Sequence, residues 1–208
     1  MKKKILLSFA ILLSCSVSFL SAKSQSGILS SALSGLRISS GYTNAFSLYN
    51  MDTYSKIAPG AFLGYEYTLL PDLSRGLDAG FYGKTSYQYF MPYNLQLNRL
   101  ESFTFSGGLF FQFNLKNDIS IVVSTGAGFM IDIIDFTSAE GKQINDVYYD
   151  FALEGDFYIR KKIDGNKNCL LLMGPGCHFS FYNEKTKNYC SLGPGFSLCI
   201  DFKPAGHK

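Results

Sequence analysis

The sequence predicts an all-β protein, a closed antiparallel transmembrane β-barrel of about eight strands in an up-and-down meander. Three observations support this prediction. Apolar and polar residues alternate with a period of two through most of the chain. The connections between the alternating segments are long and short in turn, as in bacterial barrels. After the N-terminal segment, no run reaches the roughly 18 apolar residues that a membrane-spanning helix needs, so a membrane protein of this sequence has to be a barrel.

Length and composition agree with a single domain that has an alternating sequence. The 208 residues leave room for one domain once a leader is removed. Phe (19), Tyr (14) and Gly (20) are abundant, and Trp is absent. The net charge of +3 is too small to indicate nucleic acid as a partner, and no segment indicates a cofactor.

The N-terminus has the pattern of an export signal. Lys2–Lys4 form a charged region, Ile5–Leu13 an apolar core, and Ala22 offers a small residue before a cleavage site. We therefore expect a signal peptide at 1–22 and a short N-terminal segment at 23–34. Because Leu12–Cys15 also resembles a relaxed lipobox, lipidation at Cys15 is the alternative. Either processing route exports the chain, and with a barrel fold it predicts the outer membrane of a diderm bacterium.

The barrel itself is predicted at 35–202, and a C-terminal tail at 203–208. The first strand, Gly35–Tyr42, has a weak pattern. The second is clearer, because between Leu63 and Leu69 the odd-numbered positions are Leu or Tyr and the even-numbered ones are Gly, Glu or Thr. The third, Leu77–Tyr89, alternates throughout, with the polar face at Asp78, Gly80, Tyr82, Lys84, Ser86 and Gln88.

The next three predicted strands repeat this pattern, and the last two are weaker. Ser102–Leu115, Ile119–Ile133 and Val147–Arg160 each carry one apolar face and one face made mostly of polar residues and glycine. Asn168–Tyr182 and Asn188–Phe202 contain Pro175 and Pro194, which indicate bulges or distorted ladders. The predicted strands number eight, an even number with which an up-and-down barrel closes simply.

Connection lengths give an independent indication. The short, turn-like links are Pro71–Arg75, Lys116–Asp118 and Ile163–Lys167, and the longer ones are Thr43–Lys56, Phe90–Arg99 and Phe136–Asp146. In bacterial barrels the short turns face the periplasm and the long loops face outside. The last link, Asn183–Lys187, is shorter than this rule predicts.

The polar face distinguishes a membrane barrel from a soluble one. A soluble eight-stranded barrel such as a lipocalin would bury its aromatic residues inside. Here the face opposite the aromatic residues carries too many charges to line an apolar ligand cup: Arg37, Glu66, Asp78, Lys84, Asp150, Glu154, Asp156 and Arg160. The charged face is therefore expected to point into the lumen and the aromatic face into lipid.

The last predicted strand ends in Gly195-Phe196-Ser197-Leu198-Cys199-Ile200-Asp201-Phe202. This segment resembles the assembly signal of small eight-stranded outer-membrane barrels, the OmpA/OmpX/OmpW-like group, although Lys203–Lys208 follow the aromatic residue here. The resemblance covers the mature length and implies recognition by the barrel-assembly machinery, contact with outer-membrane lipid and a monomeric state. It says little about activity and implies no enzyme.

The lumen of an eight-stranded barrel is just wide enough for side chains to fill, and charges buried there have to be paired. We expect Arg37 to bridge Glu66 and Asp78, with Lys84 one layer nearer the outside. Arg160 is expected to balance Glu154 and Asp156. This network predicts a structural plug, and a gated channel or proton path is the alternative.

Further hypotheses concern local sites. Asp132 and Asp150, at the base of an acidic loop, are candidate ligands of a hard divalent cation, although no EF-hand spacing is present and a solvated loop is the alternative. His178 and Ser180 are weak catalytic candidates, because outer-membrane lipid A deacylases carry a His-x-Ser pair. The Asn that follows the Ser in that family is Phe181 here, and both side chains are predicted to point inward.

Four of the five cysteines follow residue 168. A hairpin centred near Glu184 would bring Cys177 close to Cys190, a possible disulfide in an exported protein. Buried free thiols are the alternative, and no CxxC motif is present.

Two classes of function remain open at this point. The first is a structural or surface-interaction role, in which loops contact host or envelope ligands. The second is passage of small hydrophobic solutes, as proposed for the OmpW-like branch. A lipid A deacylase-like hydrolase is a minor third alternative.

Overall fold

The computed structural model of the protein describes residues 35–49, 55–74, 76–92, 96–165, 169–184 and 187–202. The predicted signal peptide 1–22, the segment 23–34, the alternative lipidation site Cys15 and the tail 203–208 lie outside the described residues. The predicted barrel, 35–202, contains every described residue.

Eight antiparallel strands form one closed barrel. Each strand pairs with the next along the chain, and the last pairs with the first through contacts such as Arg37 opposite Asp201. The predicted fold class and strand number are therefore confirmed. The strands are β1 (Leu36–Tyr49), β2 (Ile57–Ser74), β3 (Leu77–Phe90), β4 (Leu97–Asn114), β5 (Ile119–Thr137), β6 (Gln143–Gly165), β7 (Cys169–Glu184) and β8 (Lys187–Phe202).

Several strands are longer than predicted. The β1–β2 ladder continues to Phe46 opposite Ile57, and the β5–β6 ladder continues to Thr137 opposite Gln143. Much of the predicted loops Thr43–Lys56 and Phe136–Asp146 is therefore strand, and the predicted turn at 71–75 lies mostly within β2. Backbone pairing needs no apolar alternation, so a hairpin can extend beyond the segment in which one face is apolar.

The two ends of the barrel differ. We call one end of the barrel the terminal end, because β1 begins there and β8 ends there. The links at this end cover residues 75–76, 115–118 and 166–168. At the opposite hairpin end, the links cover residues 50–56, 91–96, 138–142 and 185–186. Apart from the last one, the hairpin-end links are the longer ones, as the sequence predicts.

Side chains alternate between lumen and exterior along each strand. The exterior carries a belt of exposed aliphatic and aromatic residues that includes Leu63, Tyr65, Phe81, Phe105, Leu109, Phe129, Leu153, Phe157, Phe179 and Phe196. A belt of this size around a closed barrel is far larger than the apolar patches of soluble monomers, and it matches a surface that faces lipid. No helix among the described residues has the length and apolarity to cross a membrane.

The packed core lies inside the barrel. At the hairpin end, an apolar cluster is formed by Ala45, Ala58, Phe90, Leu97 and Leu100, with Ile134 and Phe136 packed against it. Nearer the middle, Phe62, Val122 and Tyr158 form a second cluster. Glycines leave room for buried aromatic side chains of the lumen: a Cβ atom on Gly126 would lie 2.6 Å from the hydroxyl of Tyr82, which is buried. Buried charged and hydroxyl side chains line the rest of the lumen among the described residues.

Candidate functional site

The period-two alternation brings the polar residues of most strands into the lumen. Arg37 lies on β1, Glu66 on β2, Lys84 on β3 and Asp156 on β6, all at inward positions, and each is less than a tenth exposed. Buried charges are costly unless paired, so the chemistry of the lumen depends on which ion-pair partners these residues have. The charges form two groups at different heights.

The first group, the terminal-end cluster, consists of Arg37, Glu66, Asp78, Arg160 and Asp201. The Arg37 guanidinium lies 3.2 Å from Asp78, 3.5 Å from Asp201 and 4.0 Å from Glu66. Arg160 donates to both carboxylate oxygens of Glu66, at 2.7 and 3.0 Å. This forked geometry is the strongest form of a guanidinium–carboxylate contact.

The second group, the central cluster, consists of Lys84, Glu154, Asp156 and His178. The Lys84 ammonium donates to both oxygens of Asp156, at 2.8 and 3.1 Å, and lies 3.3 Å from Glu154. Hydroxyl groups complete the cluster, because Ser124 donates to Asp156 at 3.3 Å and Ser106 donates to Glu154. The ammonium is thus enclosed by carboxylates from β6.

One predicted pairing is wrong. Arg160 was expected to balance Glu154 and Asp156, but it binds Glu66, and Lys84 takes those two carboxylates instead. Asp156 and Arg160 share one face of β6 but lie four residues apart, which is roughly 13 Å along a strand. The Arg160 side chain therefore reaches across the lumen rather than along its own strand.

Aromatic rings contact both guanidinium groups of the terminal-end cluster. The Arg37 guanidinium lies 5.4 Å from the ring centre of Phe110, and Arg160 lies 5.7 Å from that of Tyr158. Both distances suit cation–π attraction. A cavity of about 20 Å³ lies between the two clusters, and a water molecule needs ~10–15 Å³ by this measure. This cavity therefore has room for about one water molecule.

His178 connects the central cluster to a serine. Its Nδ1 lies 2.7 Å from Asp156 and its Nε2 lies 2.6 Å from the Ser180 hydroxyl. With the proton on Nδ1, the imidazole donates to Asp156 and accepts from Ser180, which is the order of a Ser-His-Asp triad. Both side chains lie inside the lumen, and Ser180 and His178 are 0% and 1% exposed. Lys84 also neutralises the carboxylate.

Solved structures of small barrels are similar to this chain in fold. The crystal structure of Neisserial surface protein A (NspA) matches with a TM-score of 0.55 and 11% identity, over 81% of this chain and 98% of that one. The fold is that of a small outer-membrane β-barrel. Small outer-membrane barrels are also the group whose assembly signal the last strand of this sequence resembles.

Two further outer-membrane barrels are similar at a lower score. The N-terminal barrel domain of Pseudomonas aeruginosa OprF has a TM-score of 0.48 and 10% identity over 80% of this chain and 98% of that one. Ail of Yersinia pestis, in complex with the heparin analogue sucrose octasulfate, has a TM-score of 0.49 and 14% identity over 80% and 99%. No protein-family model matches the chain, and no curated protein matches it.

The predicted cation site is not assembled. Asp132 lies opposite Tyr148 and Asp150 lies opposite Met130, so the two carboxylates are diagonal neighbours. Asp132 accepts a hydrogen bond from Ser102. Within the described ranges, no group of three or more His, Cys, Asp or Glu side chains is placed to hold a metal ion. The described residues therefore offer no third His, Cys, Asp or Glu ligand for a cation at Asp132 and Asp150.

The predicted disulfide is wrong in this structure. Cys177 lies opposite Pro194, and Cys190 lies opposite Phe181. The β7–β8 link is only residues 185–186, so the centre of the hairpin is displaced from Glu184 and the two cysteines are four positions out of register, roughly 13 Å apart along the strands. That separation exceeds the ~7 Å limit for bridged Cα atoms. All four cysteines in the described part of the chain are free thiols.

The sequence prediction of the luminal network omits two of its members. Asp201 lies between Ile200 and Phe202, which face outward, so the same alternation places it in the lumen. His178 is predicted as a weak catalytic candidate and as an inward side chain, but its contacts with Glu154 and Asp156 are not predicted. In both cases the sequence signal is the odd or even position of the residue on a strand whose apolar–polar alternation is weak.

Proposed function

We propose that the chain is an integral outer-membrane β-barrel of a diderm bacterium with a charge-plugged lumen, acting structurally or through surface contacts of its extracellular loops. The packing of the lumen carries this proposal. Ion-paired side chains line the lumen from the terminal end to the middle, and an apolar cluster lies at its hairpin end. Such packing supports a lumen without the water-filled path that a pore requires.

The orientation follows from the connections. Short turns of bacterial barrels face the periplasm, which assigns the terminal end to the periplasm and the hairpin end to the exterior. The partners in this proposal are outer-membrane lipid, the barrel-assembly machinery, and host or envelope ligands that meet the hairpin end. The barrel acts as a monomer, and neither nucleic acid nor a cofactor takes part.

Planar-bilayer recording tests the plug. We expect purified protein, inserted in its heat-modifiable folded form, to give no conductance steps under a transmembrane voltage, because ions cannot pass paired charges and a packed apolar cluster. A wide porin inserted in the same bilayers is the positive control. Steps that scale with the amount of inserted protein would contradict the plug and favour the gated channel. Uptake of a hydrophobic dye above that of protein-free liposomes would favour passage of hydrophobic solutes.

The chain Ser180–His178–Asp156 favours a second candidate, the lipid A deacylase-like hydrolase. Its hydrogen bonds have the order that activates a serine. Its burial and the Lys84 ammonium oppose this reading, since Ser180 is 0% exposed among the described residues.

A fluorophosphonate probe, which labels activated serines covalently, distinguishes the two readings. We expect the folded protein to remain unlabelled, and the variant Ser180→Ala to behave identically. Labelling that is lost in Ser180→Ala but retained in Ser191→Ala, a matched buried serine opposite Ser180 on β8, would establish the hydrolase instead.

A further inference from the structure

The side chains of Lys84 and Asp156 meet at a distance that suits bond formation as well as ion pairing. Among the described lysines, Lys84 alone is buried, and Asp156 is only 7% exposed. The Lys84 Nζ atom lies 2.8 Å from Oδ2 and 3.1 Å from Oδ1 of Asp156. Because both oxygens are this close, the carboxyl carbon that joins them lies within about 3.5 Å of Nζ, the range of a reactive contact.

Glu154 brings a second carboxylate to the same amine. Its Oε2 atom lies 3.3 Å from Nζ of Lys84, and its Oε1 atom accepts no hydrogen bond within the described ranges. Two carboxylates thus face one amine. One of them can hold a carboxylic acid proton while the other takes a proton from nitrogen. A carboxylate this near the proton that it removes can act as a general base.

The Asp156 carboxyl group has two further polar neighbours. With its proton on Nδ1, the His178 imidazole donates to Oδ1 at 2.7 Å, and the Ser124 hydroxyl donates to Oδ2 at 3.3 Å. When an amine adds to a carboxyl carbon, negative charge develops on the carboxyl oxygens. Donors that are already in place stabilise this charge.

His178 also lies beside the amine, with Nδ1 3.1 Å from Nζ of Lys84. If Nδ1 carries a proton, it and the ammonium are two donors side by side. If Nδ1 carries none, it and the Asp156 carboxylate are two acceptors side by side. Moving one proton from the ammonium to the carboxylate removes this mismatch. The result is a neutral amine next to a carboxylic acid, the two groups from which an amide forms.

The surroundings suit a reaction that releases water. The cavity of about 20 Å³ is lined by Lys84, Ser124 and Asp156, among others, and it has room for about one water molecule. The Phe62 ring, with its centre 6.0 Å from Nζ, covers the amine on another side. A single released water therefore has a place to go, and bulk water is kept from the product.

We propose that Lys84 and Asp156 become joined by an amide bond in the folded barrel. A proton first moves from the Lys84 ammonium to Asp156. The amine lone pair then forms the N–C bond to Cγ of Asp156, while Glu154 takes a proton from nitrogen. Glu154 returns this proton to the hydroxyl group of the Asp156 carboxyl, the C–O bond breaks, and one water molecule leaves. The reaction needs no oxidant, reductant or co-substrate.

Mass spectrometry of the exported, folded full chain tests the bond. Digestion of the unsubstituted protein is expected to give a branched peptide that contains both Lys84 and Asp156. Its mass should be lower than that of the two separate peptides by one water molecule. This result does not depend on how any variant folds. Finding only separate peptides would overturn the proposal, and so would fragmentation that places the branch at Glu154.

Two variants test the chemistry. Lys84→Arg keeps a cation but has no nucleophilic amine, so it should give no branched peptide. When heated, it should also migrate more slowly in SDS gels than the unsubstituted protein, in which the link closes a covalent loop. Its matched control is Lys142→Arg, at an exposed lysine, which should keep the branch. Equal migration of Lys84→Arg and Lys142→Arg would contradict a link in the folded protein.

Glu154→Gln keeps the size of the side chain and removes the base. After refolding from denaturant, it is expected to form the link about 100-fold more slowly than the unsubstituted protein. Glu140→Gln, at an exposed glutamate, is the control and should react at the unsubstituted rate. Equal rates for Glu154→Gln and Glu140→Gln would overturn the role of Glu154 as the base.

Discussion

Replacing Lys84 by methionine is expected to lower the free energy of unfolding by about 3–5 kcal/mol, the range for breaking a buried ion pair from one side. Lys84 lies between Glu154 and Asp156 and is 6% exposed. Within the described residues, it is the one permanently charged cation of the central cluster. Methionine keeps most of its volume, so the loss reports on the charge and not on a cavity.

Urea unfolding of the folded barrel, followed by circular dichroism and by heat-modifiable migration, measures this loss. Lys142→Met is the matched control, because Lys142 is exposed at the hairpin end, and it should change stability by less than about 0.5 kcal/mol. A loss as small as that of the control would mean that water solvates the carboxylates, contrary to a plug.

Replacing Glu66 by alanine is the second large effect, with an expected loss of about 3–5 kcal/mol. The carboxylate accepts both hydrogen bonds of the Arg160 fork and lies 4.0 Å from Arg37. Arg37 retains Asp78 and Asp201, whereas Arg160 retains only the Ser197 hydroxyl, at 3.3 Å, among its described hydrogen-bond partners. The uncompensated guanidinium is the source of the loss.

A double variant separates charge from packing. Glu66→Leu combined with Arg160→Met removes both charges, and we expect it to be more stable than Glu66→Ala, because apolar side chains often replace a buried pair without loss. Glu140→Ala, at an exposed acidic residue, is the control and should be nearly neutral. A double variant no more stable than Glu66→Ala would show that the fork contributes through its specific hydrogen bonds.

The closed eight-stranded barrel could be predicted from the sequence because its signal is local. In strands such as β3 and β4, each residue faces either lipid or lumen, and a period of two records that choice directly. The ends of the strands show no such alternation, so the sequence does not mark where each strand stops. Beyond the lipid-facing belt, residues such as Phe46 and Gln143 pair through backbone groups that every residue has.

The members of the luminal network were largely predictable, and their pairing was not. Parity places Arg160, Glu154 and Asp156 inside, but which of them meet depends on the tilt and stagger of strands around the barrel. These are properties of the whole ring. The cysteines show the same limit, since a displacement of the β7–β8 turn by two residues moves Cys177 and Cys190 four positions out of register.

The contact between Arg37 and Asp201 joins the first strand to the last, across the seam where β1 meets β8. Until that seam closes, Arg37 and Asp201 lie on edge strands with a neighbouring strand on one side only, and water reaches both side chains from the open side. Sealing the wall and desolvating these charges are therefore a single event. We therefore expect a cooperative final step in barrel assembly. Before this step the open sheet is hydrated at the β1–β8 edge, and after it the closed ring excludes water from the two charged side chains.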